Sequence, residues 1–282
     1  MRWRFSILIY GSLMAWAFIC LLPLAWMLSG SFKSVEDFAN GPLYLPFADF
    51  QPTLANWSYI VFDSADDTLR RFGNSLVVSC LATLATVLAG GLAGFALLRA
   101  GHSQRWVLAG MIIARALPPV ATALPLYLVL QKFNGLDSRW ALALVYAAYN
   151  VPIAAWLLRG GFAGVSPEIF DAAVLDGASQ LRVFFTMALP LAAGTVAATA
   201  LFVFVLCWNE YSFALLLTTD HALTLPPFLA GQMAVREQLA SAAPQWGYFS
   251  VLIVLMVAPL LLGTGVVQRL LTRNFQHATQ RG

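Results

Sequence analysis

Residues 159–190 read Arg159-Gly-Gly-Phe-Ala-Gly-Val-Ser-Pro-Glu-Ile-Phe-Asp-Ala-Ala-Val-Leu-Asp-Gly-Ala-Ser-Gln-Leu-Arg-Val-Phe-Phe-Thr-Met-Ala-Leu-Pro190. This polar stretch separates two apolar runs, 140–158 and 191–217. Its own pattern is that of a short helix. Ser166 is a good N-cap, Pro167 fits the first helical position, and Glu168 and Asp171 suit the positive end of the helix dipole. Ala172 and Ala173 keep one face flat. Gly177 follows the helix end, where a residue with positive φ closes the last turn. A second helix is predicted over 180–187 and leads to Pro190, the expected start of the next apolar run. The first helix then lies outside the apolar runs and displays small residues and acids, Glu168, Asp171 and Asp176. Small residues let a partner surface approach closely, and carboxylates pair with a partner's Arg or Lys.

The flanking sequence explains why this loop stands out. Of 282 residues, 60% are hydrophobic and 10% charged. A soluble domain carries about 25% charged residues, so lipid is the natural solvent for most of this chain. A membrane helix needs about 20 apolar residues to cross a core of about 30 Å. The runs 5–28, 75–98, 106–130, 140–158, 191–217 and 248–271 qualify. The first is longer than a signal-peptide core and no small-residue cleavage site follows it, so it reads as a retained helix. Prolines at 23, 118, 119, 125, 152 and 259 interrupt the runs. Such breaks are tolerated where neighbouring protein satisfies the freed carbonyls. The expected architecture is an all-α integral membrane protein with six transmembrane helices.

Basic residues orient it. With the N-terminus in the cytoplasm, Arg2, Arg4, Arg99, Arg105, Arg159, Arg182, Arg269, Arg273 and Arg281 fall inside, nine against six. The other side holds Lys33, Arg70, Arg71, Lys132, Arg139 and Arg236, and Arg115 falls within a span. Lys and Arg favour the cytoplasmic side, so both termini and loop 159–190 are expected there. The chain divides into a first helix with its outer loop (1–72), a core of five helices with the loop (73–271), and a tail (272–282). The outer stretch 29–74 is expected to form a structured flap. Stretch 218–247 is expected to hold a short amphipathic helix.

Several classes are disfavoured. No basic stripe suits nucleic acid. Cys20, Cys80 and Cys207 lie in apolar runs without metal-ligand spacing. His102, His221 and His277 fall outside the spans, and no Gly-x-x-x-x-Gly-Lys-Ser/Thr occurs. Neither catalysis nor ATP binding by this chain is expected. Any ATP must be used by a separate subunit.

Asp171-Ala172-Ala173, Gly177, Met187 and Leu189-Pro190 keep the full spacing of the EAA loop, so the chain resembles importer-type ABC transporter permeases. Asp171 stands for Glu and Met187 for Ile. The likeness continues through Asn74-Ser75-Leu76, Leu92-Ala93-Gly94-Phe95-Ala96, Ala116-Leu117-Pro118-Pro119, Leu124-Pro125-Leu126-Tyr127, Asn134-Gly135-Leu136-Asp137-Ser138 and Trp208-Asn209-Glu210-Tyr211. It is nearest the shorter permease of maltose/trehalose-type carbohydrate importers, and Arg281-Gly282 resembles the final pair of that type. The resemblance implies a permease of the bacterial inner membrane that forms half of a translocation pathway for a sugar or polyol by alternating access. It implies a paralogous permease partner, two ATP-binding subunits that use ATP and Mg, and a periplasmic or lipid-anchored solute-binding protein. It makes Glu168, Asp171, Ala172, Ala173, Asp176, Gly177, Leu189 and Pro190 the ATPase-coupling residues. From composition alone, a secondary transporter or channel not driven by ATP is the alternative.

Polar residues within the spans are candidates for the pathway. An arginine at mid-span costs about 2.5–3.5 kcal/mol on insertion scales. Arg115 therefore reads equally as a pathway residue, with Glu210 a candidate partner, or as a structural clamp. Asn150 is expected to satisfy carbonyls freed by Pro152. Trp208, Asn209, Glu210 and Tyr211 mix aromatic and hydrogen-bonding groups, which suits a sugar or an interfacial belt equally. Tyr127 joins this set. Ala89, Gly90, Gly91 and Gly94 form a surface for helix packing.

Overall fold

The computed structural model describes residues 2–39, 45–63, 65–238 and 246–279. Among these, regular structure is helical apart from one isolated bridge between Pro46 and Phe50. In chain order the helices are α1 (Arg2–Gly30), α2 (Val35–Ala39), α3 (Ala55–Ser58), α4 (Ala65–Leu98), α5 (Gln104–Arg115), α6 (Pro119–Lys132) and α7 (Arg139–Ala163). They continue as α8 (Pro167–Leu175), α9 (Gln180–Val183), α10 (Leu189–Leu191), α11 (Ala193–Trp208), α12 (Ser212–Leu217), α13 (Leu225–Gln238) and α14 (Trp246–Thr279). The short helix expected in 218–247 is α13. Residues 280–282 of the tail, with Arg281 and Gly282, lie outside the described residues.

Four helical stretches are long and apolar enough to cross a membrane: Ile9–Gly30, Asp67–Leu98, Arg139–Ala163 and Trp246–Arg269. The other two expected spans are not single helices. Run 106–130 is α5 and α6, bent by 85° between Arg115 and Pro119. Pro119 excludes αR geometry at Pro118, whose ψ is 136°. The second bent pair is Gln180–Leu191 with Ala193–Trp208, at 87°. Pro190 thus lies in the three-residue α10, before the bend, rather than opening the fifth span. Run 191–217 breaks again between α11 and α12, at Asn209–Tyr211.

The chain divides into two compact units. One comprises Met1–Arg70 with Leu229–Pro259, the other Arg71–Phe228 with Leu260–Gly282. In the first, the expected flap is ordered around Asn56, whose Nδ2 donates to the carbonyls of Ser31 (3.2 Å) and Lys33 (2.8 Å). Lys33 is 2% exposed, with Nζ 4.5 Å from the Trp26 ring centroid and 5.1 Å from that of Phe50. Burial pushes its pKa down, against Asp37 and Asp49.

The second unit carries the loop and the bent spans. Here α4 meets α7 at backbone distance. A Cβ at Gly90 would lie 2.6 Å from Ala154 Cβ, and one at Gly94 would lie 2.7 Å from the Ala155 carbonyl. Small residues four apart on one face permit this approach. Two apolar clusters flank the contact. One joins Val78, Ala82, Leu142, Tyr146, Val203 and Phe213, and the other Val87, Phe95, Leu158, Phe162, Phe170 and Phe184.

Candidate functional site

Helix α8 follows its sequence logic at the C-terminus and departs from it at the N-terminus. Pro167 opens it, with Ser166 at ψ 124°. The Ser166 hydroxyl makes no capping bond to the helix N–H groups, contrary to expectation. It donates instead to the Glu168 carboxylate. This bond holds the Glu168 pKa below its ordinary value. At the other end Gly177 has φ +89°. Its N–H donates to Val174 O (3.0 Å) and that of Ala178 to Ala173 O (3.0 Å). These are the two bonds of a Schellman closure. Ser179 then caps α9, accepting from the Arg182 N–H at 3.3 Å. Only Gln180–Val183 of the expected 180–187 helix is α-helical. Phe184–Ala188 widens to a π turn.

Helix α8 is two-faced. Phe170 and Ala173 are buried, whereas Glu168, Asp171, Ala172, Asp176 and Gly177 are exposed. Leu175 is 88% exposed and Ile169 also faces outward. The exposed face is therefore an apolar strip (Ile169, Ala172, Leu175) bordered by carboxylates. On the buried face, Phe170 packs edge-on against Phe95, ring centroids 5.5 Å apart. Phe95 also contacts Phe162 (5.9 Å) and Phe184 (5.8 Å). One ring on α4 thus ties together α7, α8 and the π turn. Leu189, half-buried, packs on the same cluster, and Pro190 is exposed. Asp171 has a partner within the chain. Arg99 Nη2 lies 3.5 Å from its carboxylate, and the Arg99 guanidinium stacks over Phe95 at 5.6 Å.

The break between α5 and α6 gathers a second polar group. Arg115 is half-buried, and its Nη2 donates to Asn150 Oδ1 at 3.1 Å. The Tyr149 hydroxyl donates to the carbonyls of Arg115 (3.0 Å) and Leu117 (3.2 Å), and its ring lies 5.1 Å beneath the guanidinium. Asn150 is 4% exposed. Its Nδ2 donates to the Tyr146 carbonyl at 2.9 Å, one turn back, and not to a carbonyl freed by Pro152. Tyr149 relieves the α5–α6 break instead, a role its sequence position does not signal. Glu210 is not the partner of Arg115. Its carboxylate accepts from the N–H groups of Phe213 (3.0 Å) and Ala214 (3.2 Å) and so caps α12. Trp208, 1% exposed, stacks on Phe204 and abuts Phe72, a core position rather than a surface for solute. Asn209 and Tyr211 are exposed at the same break. Tyr127 lines a separate apolar recess of about 420 Å³ with Val120, Leu124 and Leu216.

Residues 86–277 match the family described as binding-protein-dependent transport system inner membrane component. The chain belongs to this family. Among its curated relatives is the "Probable ABC transporter permease protein y4oR" of Sinorhizobium fredii, 32% identical over 92% of this chain and 89% of that protein. The trehalose/maltose transport system permease protein MalG of Thermococcus litoralis is 29% identical over 98% of this chain and 96% of its own length. A solved chain of a bacterial ABC transporter that imports alginate shares the fold, with TM-score 0.72 and 20% identity over 94% of this chain and 95% of that one. This permease is thus an ABC importer subunit, which removes the channel or secondary-transporter alternative.

Proposed function

We propose that this permease forms half of the translocation pathway of an ATP-driven importer for a sugar or related polyol. The trehalose/maltose permease MalG and the diacetylchitobiose uptake system permease NgcG of Streptomyces coelicolor, 29% identical to this chain, support that class. In this reading the chain is non-catalytic, sits in the bacterial inner membrane with both termini cytoplasmic, and pairs with a paralogous permease. Two ATP-binding subunits use ATP and Mg, and a solute-binding protein delivers the sugar outside.

The observation that carries the coupling assignment is the two-faced α8. Its outward strip of Ile169, Ala172 and Leu175, edged by Glu168, Asp171 and Asp176, suits a groove with basic rims on an ATPase. Its inward Phe170 plugs into the Phe95 cluster, so a push on α8 reaches α4 and α7 through packed rings rather than through a flexible loop. Gly177 and the Leu189-Pro190 pair set the two ends of that lever. Leu175→Asp, which touches only the exposed strip, tests the assignment in the full complex. Loss of sugar uptake and of co-purifying ATPase, with the permease still inserted, is expected. Normal uptake and retained ATPase would remove α8 as the docking element.

A further inference from the structure

We propose that Arg115 is a subsite for an acidic group on the transported solute, which makes the carried sugar a uronate or a sulfonated or phosphorylated sugar. The inference rests on the reading of this chain as a sugar permease and narrows its substrate.

Arg115 is a permanent cation placed at a break within a bent span. Among the described residues no carboxylate pairs with it. Glu210, the acid at the neighbouring break, is committed to the α12 N-terminus. The negative end of the α5 dipole would offset part of the charge. However, the Arg115 carbonyl at that helix end already accepts from Tyr149. The guanidinium has several N–H donors. One of them reaches Asn150, and Nε is buried without a partner. A neutral amide and an aromatic face therefore hold the group in place without neutralising it. Structural arginines in membranes are normally paired with an acid or with carbonyls. An arginine that is oriented but uncompensated matches a site whose anion arrives with the ligand, and a carboxylate or sulfonate meets the guanidinium fork in two parallel bonds.

The same chemistry could come from a lipid headgroup, so the test has two arms. The complete importer, with its permease partner, ATPases and binding protein, is reconstituted in phosphatidylcholine vesicles, with and without phosphatidylglycerol. ATP-dependent uptake of labelled glucose, glucuronate, maltose and a glucuronate-containing disaccharide is measured for wild type, Arg115→Gln and Arg115→Lys. Expected are wild-type uptake of an acidic sugar, a KM for it raised tenfold or more by Arg115→Gln, and partial recovery in Arg115→Lys. Wild-type uptake confined to neutral sugars overturns the inference and leaves the sugar-permease reading intact. So does an unchanged KM in Arg115→Gln, or an equal rise for neutral sugars. A phosphatidylglycerol dependence that Arg115→Gln abolishes, with no change in KM, assigns the site to lipid and also overturns it. No ATP-dependent uptake of any sugar removes the underlying reading, and the inference with it.

Discussion

At Asp137 one carboxylate organises a whole turn. It accepts from the backbone N–H groups of Thr219, Asp220, His221 and Ala222, at 3.2, 3.1, 2.8 and 2.9 Å, and from the Thr219 hydroxyl. Burial pushes its pKa up, but the four N–H bonds outweigh that and hold it well below the usual carboxylate range. A depressed folded pKa contributes stability that is present above the unfolded value, about 3.9, and lost as pH falls through the folded one. Stability should therefore show no Asp137 titration between pH 5 and pH 8, by thermal melts in detergent. Asp137→Ala should lower stability by about 2 kcal/mol, because it removes the carboxylate that accepts from four backbone N–H groups. Gly177 is the second telling residue. Nothing lies within 4 Å of a Cβ placed there, so only its φ of +89° penalises a side chain. Gly177→Ala should cost about 1–2 kcal/mol at the end of α8 and reduce the uptake obtained per ATP hydrolysed.

At the scale of elements, close approach is the organising fact. Gly94→Ala would set a methyl against the Ala155 carbonyl and the Arg159 N–H, both backbone and neither able to rotate away. Separating α4 from α7 should cost about 1–3 kcal/mol, read as a lowered melting midpoint. Gly110→Ala on α5 is the control, since nothing lies within 4 Å of its added methyl. It should leave the midpoint unchanged or raise it. The packing of Phe170 predicts a larger loss. Phe170→Ala should destabilise α8 docking by about 3–5 kcal/mol, and exposure of α8 to protease measures it. The Arg99–Asp171 pair is partly exposed, so it contributes under about 1 kcal/mol. Its value lies in orienting Asp171, so Arg99→Gln should lower uptake less than Asp171→Arg, which also reverses the charge offered to the ATPase.

At the scale of the whole molecule, α1 matters most. Over its most apolar 18-residue window no residue is buried within the chain, and only its end near Gly30 is covered. Lipid or a partner subunit covers such a surface, and the importer complex proposed above supplies both. Uptake by that complex should stop with vanadate and continue with a protonophore. The converse pattern would point to an ion gradient as the energy source.

The sequence alone determined the membrane class, the position of each apolar run, the helix 167–175 with its glycine closure, and the family. These follow from local composition and from spacing within one turn or one loop, which the chain carries whatever its tertiary contacts. The tertiary structure alone decided where two of the runs bend and what the polar residues do. Tyr149 rather than Asn150 relieves the α5–α6 break, Glu210 caps α12 rather than pairing with Arg115, Trp208 is core, and Arg99 holds Asp171. Each of these depends on a side chain's rotamer, on a partner many residues away, or on which of several nearby groups captures a carboxylate first. Such choices are settled by packing geometry that no pattern along the chain encodes.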